Sequence, residues 1–201
     1  MAVSLDKTTL TKAAPAVSLT KKTGASGQMR VNLNWNSGKS GGLFKKSSAI
    51  DLDLGCLYEL KDGTRGVVQA LGNSFGSLTA PPYVQLDGDD RSGSASGGEN
   101  LSINLEHLGD LKRILVFAYI YEGVPAWDKA DGVVTIYPQG AAPIEVLLDD
   151  VSAARSCAIA LLESNGQELS IRREVRYIDG SQRALDEAYG WGMNWQTGRK
   201  A

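Results

Sequence analysis

Leu86-Asp87-Gly88-Asp89-Asp90-Arg91-Ser92-Gly93-Ser94-Ala95-Ser96-Gly97-Gly98-Glu99-Asn100 is the stretch of this chain best equipped for chemistry. Asp87, Asp89, Asp90 and Glu99 face a lone cation, Arg91, in a segment otherwise built of glycine, serine and alanine. Crowded carboxylates on such a loop repel one another unless something positive sits between them. Hard cations such as Ca²⁺ take six to eight oxygens from carboxylates, amide side chains and backbone carbonyls. Asp, Gly and Ser are also ordinary turn formers, so the composition alone leaves a plain acidic surface loop open. The spacing is not that of an EF-hand. Counting from Asp87, the fifth position is Arg91, the sixth is Ser92 instead of the turn glycine, and Glu99 falls one residue late.

Other chemistries find less support. With one histidine, His107, neither a Ser-His-Asp nor a Cys-His arrangement is available. His107 follows Leu101-Ser102-Ile103-Asn104-Leu105 and reads as an ordinary strand-end residue. Gly38-Lys39-Ser40 resembles the end of a phosphate-binding loop, but the glycine that motif needs at position 33 is Leu33. Cys56 and Cys157 stand far apart in apolar surroundings and read as buried free thiols, not a disulfide framework or zinc ligands. A net charge of -2 and a pI near 5.5 argue against general nucleic-acid binding. No apolar run nears the ~20 residues that span a bilayer, and the N-terminus lacks a signal-peptide core, so the expectation is a cytoplasmic protein.

The elements that must position the acidic loop are strands. Met29, Val31, Leu33 and Trp35 alternate with polar residues, as do Leu101, Ile103 and Leu105, the period of a half-buried strand. Ile114 to Tyr121 is a continuous apolar run expected to be covered on both faces, and Gly132 to Tyr137 is another strand. Asn165-Gly166 is a hairpin turn joining Cys157–Glu163 to Glu168–Val175. Leu43 to Ser48 and Leu71 to Pro82 read as loops, and only Ser181 to Tyr189 reads as a helix. The 201 residues therefore suggest one all-β domain spanning 1–201, a two-sheet β-sandwich with a short C-terminal helix. Of the four tryptophans, Trp35 reads as core, and Trp191 and Trp195 as caps of the sandwich or a partner surface.

Several segments together resemble the TerD family of tellurium-resistance and stress-response proteins. The opening Met1-Ala2-Val3-Ser4-Leu5-Asp6-Lys7 is similar to that family's start, and Val31-Asn32-Leu33-Asn34-Trp35 to a strand it ends in Trp. Ala49-Ile50-Asp51-Leu52-Asp53-Leu54 resembles its Asp-x-Asp strand, and Asp87 to Leu105 its Gly-Asp-Asn-Arg-Thr-Gly loop and following strand. The likeness continues through Ile120-Tyr121-Glu122, the 157–175 hairpin and Tyr189-Gly190-Trp191. It implies a β-sandwich whose acidic loops bind Ca²⁺, with no catalytic activity. Partners would be other Ter-type proteins or a membrane-associated stress complex, without nucleic acid or direct membrane insertion.

Carried over position by position, the implied metal residues are Asp51, Asp53, Asp89, Asp90, Ser92, Gly93 and Glu99; Asp87 and Asn100 join them as further candidate ligands from the loop, with Glu122 a weaker addition. The run Ser94-Ala95-Ser96-Gly97-Gly98 departs from the family's more acidic loop and resembles its TerA-like branch. Fewer carboxylates imply weaker binding or a single ion. Asp51 and Asp53, two apart on a strand, are expected on one face, either solvated or bridged by a cation. The alternative function is a sandwich module for a small nucleotide-derived or carbohydrate ligand, with no metal.

Overall fold

All the apolar runs named above become strands in the computed structural model, which describes residues 7–36, 50–87, 98–123 and 126–196. In chain order they are β1 (Thr8–Thr9), β2 (Ala16–Thr20), β3 (Gln28–Asn34), β4 (Asp51–Leu60), β5 (Arg65–Gln69), β6 (Gly76–Ser77), β7 (Val84–Leu86), β8 (Glu99–Asn104), β9 (Leu111–Glu122), β10 (Gly132–Tyr137), β11 (Ile144–Leu148), β12 (Ser156–Ser164) and β13 (Glu168–Ile178). Two helices join them, α1 (Trp127–Ala130) and the expected C-terminal helix α2 (Gln182–Tyr189). None of the described helices is long and apolar enough to cross a membrane.

The strands form two sheets. One has seven strands in the order β1-β11-β10-β3-β8-β7-β6, the other six in the order β2-β13-β12-β9-β4-β5. Pairing is antiparallel throughout the six-stranded sheet, and only β1 with β11 is parallel in the other. The hairpin at Asn165-Gly166 forms as read. Gly166 takes a φ of +96°, and Asn165 Oδ1 accepts from Gln167 N at 2.9 Å and Glu168 N at 2.8 Å. Leu43 to Ser48 lies outside the described residues. The 71–82 segment departs from a plain loop, because Gly76 and Ser77 pair with Gln85 and Val84. That approach suits glycine: a Cβ on Gly76 would lie 2.1 Å from the Val84 carbonyl oxygen.

Strand β9 explains its own continuous apolar run. Ile114, Val116, Ala118 and Ile120 face the core between the sheets, beside Leu33, Leu54, Leu101 and Ile103. Leu115, Phe117 and Tyr119 face the other way, into a second cluster with Leu57, Leu161, Leu185 and Trp191. The six-stranded sheet is thus a middle layer, covered on its far side by α2 and the residues after it. Both cysteines are buried, and burial pushes the Cys56 thiol up to about 12 and Cys157 upward too, so neither forms a thiolate near neutrality.

A charged cluster holds this third layer down. Trp191 is fully buried, donates from Nε1 to Tyr58 O at 2.9 Å, and carries the Arg113 guanidinium 3.8 Å from its ring centroid. Arg113 also donates to the carbonyls of Tyr189 (3.1 Å) and Gly190 (3.2 Å) at the end of α2 and to Glu59 Oε2 at 2.6 Å. Buried Glu59 accepts from Lys112 (2.8 Å) and Arg65 (3.2 Å) as well. Asp186 completes the attachment by accepting from Gly192 N, Met193 N and Trp195 Nε1 at 2.6, 2.9 and 2.6 Å. The capping role read for Trp191 and Trp195 is thus what the fold uses, while Glu59, Arg113 and Asp186 carried no signal in the sequence.

Burial pushes the Glu59 carboxyl up, but hydrogen bonds from Lys112 and Arg113 and the charges of Arg113 and Arg65 outweigh it, lowering its pKa from 4.5 to about 2. A carboxylate with a depressed folded-state pKa stabilises fully above its unfolded value and loses that contribution as pH falls through the folded one. Glu59→Gln should therefore flatten the fall in melting temperature between about pH 5 and pH 2. Parallel wild-type and variant curves over that window would contradict the assignment. Trp191→Ala should cost about 3–5 kcal/mol in denaturant unfolding.

Candidate functional site

The acidic end of the sandwich is organised by a gap in the six-stranded sheet. The bond from Leu60 N to Thr64 O at 2.8 Å marks Leu60 as a residue whose main chain turns toward β5; by alternation Tyr58, Cys56 and Leu54 do the same. Strand β5, however, pairs β4 only from Gly55 to Glu59. The Leu54 N–H therefore points past the end of its neighbour strand. Glu99, the first residue of β8 in the opposite sheet, fills the vacancy, its Oε2 accepting from Leu54 N at 2.6 Å. Glu99 faces inward with Leu101 and Ile103, as strand alternation requires, and is 1% exposed.

Asp51 and Asp53 lie just upstream on β4. The sequence left a solvated face open for this pair, and burial overturns that: Asp53 is 0% and Asp51 8% exposed. Burying ionised carboxylates is costly without compensating charge or hydrogen bonds. The register beside the pair steps in the partner strand, not in β4 itself. Asp51 pairs with Glu122 but Leu52 with Ile120, an irregularity that places one extra residue in β9 between them. Glu122, the weaker addition, thus stands directly opposite Asp51, while Asp53 stands opposite Tyr119.

Asp87 and Asn100 serve differently. Asp87 N donates to Asn100 O at 3.0 Å, while Asn100 N and Nδ2 donate to the two Asp87 carboxylate oxygens at 3.0 and 2.8 Å. Asn100 Oδ1 accepts from Arg30 Nη1 at 3.0 Å and Asn32 Nδ2 at 2.9 Å. Asn100 is thus on the outer face of the seven-stranded sheet, opposite to Glu99, and with Asp87 it clasps the two ends of the acidic loop. Gly98 has a φ of +61°, and a Cβ there would lie 2.2 Å from Leu33 O, so the loop re-enters the sheet against bare backbone.

Of the residues implied as metal ligands, the fold places Asp51, Asp53 and Glu99 at one end of the sandwich, Asp53 beside Tyr119 on the far face of β4 and Glu99 between the sheets, and sets Asp87 and Asn100 at the loop's base. Asp89, Asp90, Ser92 and Gly93 lie outside the described residues. Among the described residues no group of three His, Cys, Asp or Glu side chains is placed to hold a metal. The donors present are of the hard oxygen type Ca²⁺ takes.

At 47% identity, the chain aligns over 204 residues with the tellurium resistance protein TerA of an Alcaligenes species. This match over nearly the whole chain supports the resemblance to the TerD family, on its TerA-like side. The alignment covers 98% of this chain and 60% of that protein, so the chain spans about three-fifths of the relative's length. No protein-family model matches. The fold is shared with a crystal structure of a homologue of the telluride resistance protein TerD from Streptomyces coelicolor A3(2), at a TM-score of 0.58 and 18% identity, over 80% of this chain and 95% of the other. A protein of unknown function superposes equally well, at a TM-score of 0.58 and 15% identity, over 78% of this chain and 92% of its own. The β-sandwich implied by the resemblance is thus the fold of its structural neighbours.

Glu99→Ala strands the buried Leu54 N–H and should cost about 1–3 kcal/mol by chemical denaturation. Glu99→Gln, which keeps an acceptor, should cost less; equal losses would show that the Leu54 contact is unimportant. Gly98→Ala should lower stability by more than about 1 kcal/mol, read in the same experiment.

Proposed function

We propose that this TerA-like chain is a non-enzymatic, cytoplasmic Ca²⁺-binding protein of the tellurite and general stress response. The observation that carries the reading is the collection of acids where the loop leaves the sandwich. Asp53 and Glu99 are buried on adjoining strands of opposite sheets, and Asp51 faces Glu122 across a ladder. Like charges directly opposite each other are unfavourable, and a cation offsets that repulsion. Asp51, Asp53 and Glu99 would hold Ca²⁺ from the sandwich side, with Asp89 and Asp90 carboxylates and oxygens of Ser92 and Gly93 from the loop. Asp87 and Asn100 already exchange hydrogen bonds, and their part is to hold the loop's base closed.

In this reading the ion neutralises the acids and orders the 87–100 loop, and the ordered surface engages other Ter-type proteins or a membrane-associated complex. The chain's 47% identity to a tellurium resistance protein supports the tellurium-resistance setting. An ion at ~100 times its dissociation constant adds about 2.7 kcal/mol to folding stability.

Chelator-stripped protein titrated calorimetrically with Ca²⁺ should bind and melt several degrees higher, with Mg²⁺ much weaker. Asp89→Asn/Asp90→Asn and, separately, Asp53→Asn should remove both effects. The absence of both binding heat and a melting shift with Ca²⁺ would refute the proposal.

A further inference from the structure

A groove of about 920 Å³ runs between β5, the edge strand of the six-stranded sheet, and the start of α2 with the segment that follows it. It shares no residue with the acidic end. Ser181, Gln182 and Arg183 line it, so the N-terminus of α2 opens onto it. The Ser181 side chain makes no capping bond and the first helical turn holds no acid, which leaves the positive end of the helix uncompensated from within. Arg65 and Arg183 add two guanidinium groups, and among the described lining residues there is no carboxylate.

A second feature is independent of the helix end. Gln182 is 95% buried, its relative exposure being 5%, and its Nε2 has no hydrogen-bond partner; it lines this groove. Across the groove, Gln69 is equally buried and spends its own Nε2 on Leu71 O at 3.1 Å, leaving Oε1 without a donor. Buried amides seldom forgo hydrogen bonds, and the Gln182 Nε2 donor is the one an anionic ligand in this groove completes. Trp195 supplies an aromatic surface, fixed by its bond to Asp186. The groove is far larger than a bare anion and within the range of small-molecule sites.

We infer that this groove binds an organic phosphate, its phosphoryl group held by the α2 N-terminus, Arg183 and the Gln182 amide, and its planar body lying against Trp195. Helix N-termini suit phosphate because their free amides point at the ligand and the dipole favours negative charge. Arg65, already bonded to Trp191 O at 2.6 Å and to Glu59, contributes long-range charge more than new contacts.

Phenyl phosphate, inorganic phosphate and benzoate are titrated by calorimetry into the full chain in calcium-free buffer, which separates this test from the calcium reading. Phenyl phosphate should bind saturably and more tightly than either control. Arg183→Gln, at an exposed position, should weaken it at least about tenfold, and Gln182→Met should weaken it with melting temperature unchanged. Phosphate binding as tightly as phenyl phosphate would overturn the organic body, and benzoate binding more tightly would overturn the phosphate. No saturation by phenyl phosphate up to about 10 mM, or binding unaffected by Arg183→Gln, would overturn the site itself.

Discussion

The hydrogen bond from Leu54 N to Glu99 is the point on which the acidic end turns. A sandwich is held chiefly by apolar contact between its sheets, which is strong but not directional. Where β5 stops short of β4, one main-chain donor is left inside the protein, and an unmet buried donor costs more than an average hydrogen bond gains. A charged acceptor arriving from the other sheet meets it at 2.6 Å. The contact sets the height of β8 relative to β4, and with it the place where the acidic loop rejoins the sandwich. Gly98 and the Asp87–Asn100 clasp can only fit once that height is set.

The opposite face of the middle sheet follows another logic. Its outer residues are as apolar as those of the core, so α2 and the segment after it must cover them. Apolar packing of Trp191 supplies the drive, and the Glu59–Arg113–Asp186 cluster supplies the orientation. Three cations converge on buried Glu59, and Arg113 ties it to both the Trp191 ring and the end of α2. The same attachment shapes the groove beside β5, because it sets where Trp195 and the start of α2 lie. At one end a buried carboxylate bonds directly to the opposite sheet; at the other, buried Glu59 holds an arginine of its own sheet that reaches the covering layer.

Much of the fold was legible because strand periodicity is local. Met29 to Trp35, Leu101 to Leu105 and the 157–175 hairpin needed only alternation and one turn dipeptide. The acids were legible by type and, through the family resemblance, by position. Their division of labour was not. Glu99 and Asn100 are neighbours in sequence, and alternation sends one into the sandwich and the other to its outer face. An irregular step in register, invisible in the sequence, adds a residue to β9 beside the Asp-x-Asp pair and sets Glu122 opposite Asp51.

The chain's own order of residues determined that this is an all-β sandwich with a short terminal helix, that its acids cluster around one glycine-rich loop, and that its thiols are buried. These are matters of period, turn chemistry and polarity, all expressed within a dozen residues. Tertiary structure alone decided which strand ends early, which carboxylate crosses to the other sheet, and which glutamines are left incomplete beside an uncapped helix. Such features arise between residues far apart in sequence, as where Leu54 bonds Glu99, 45 positions on, and where Gln69 and Gln182 come to line one groove. No local pattern records them, because each is a remainder left once the sheets have packed.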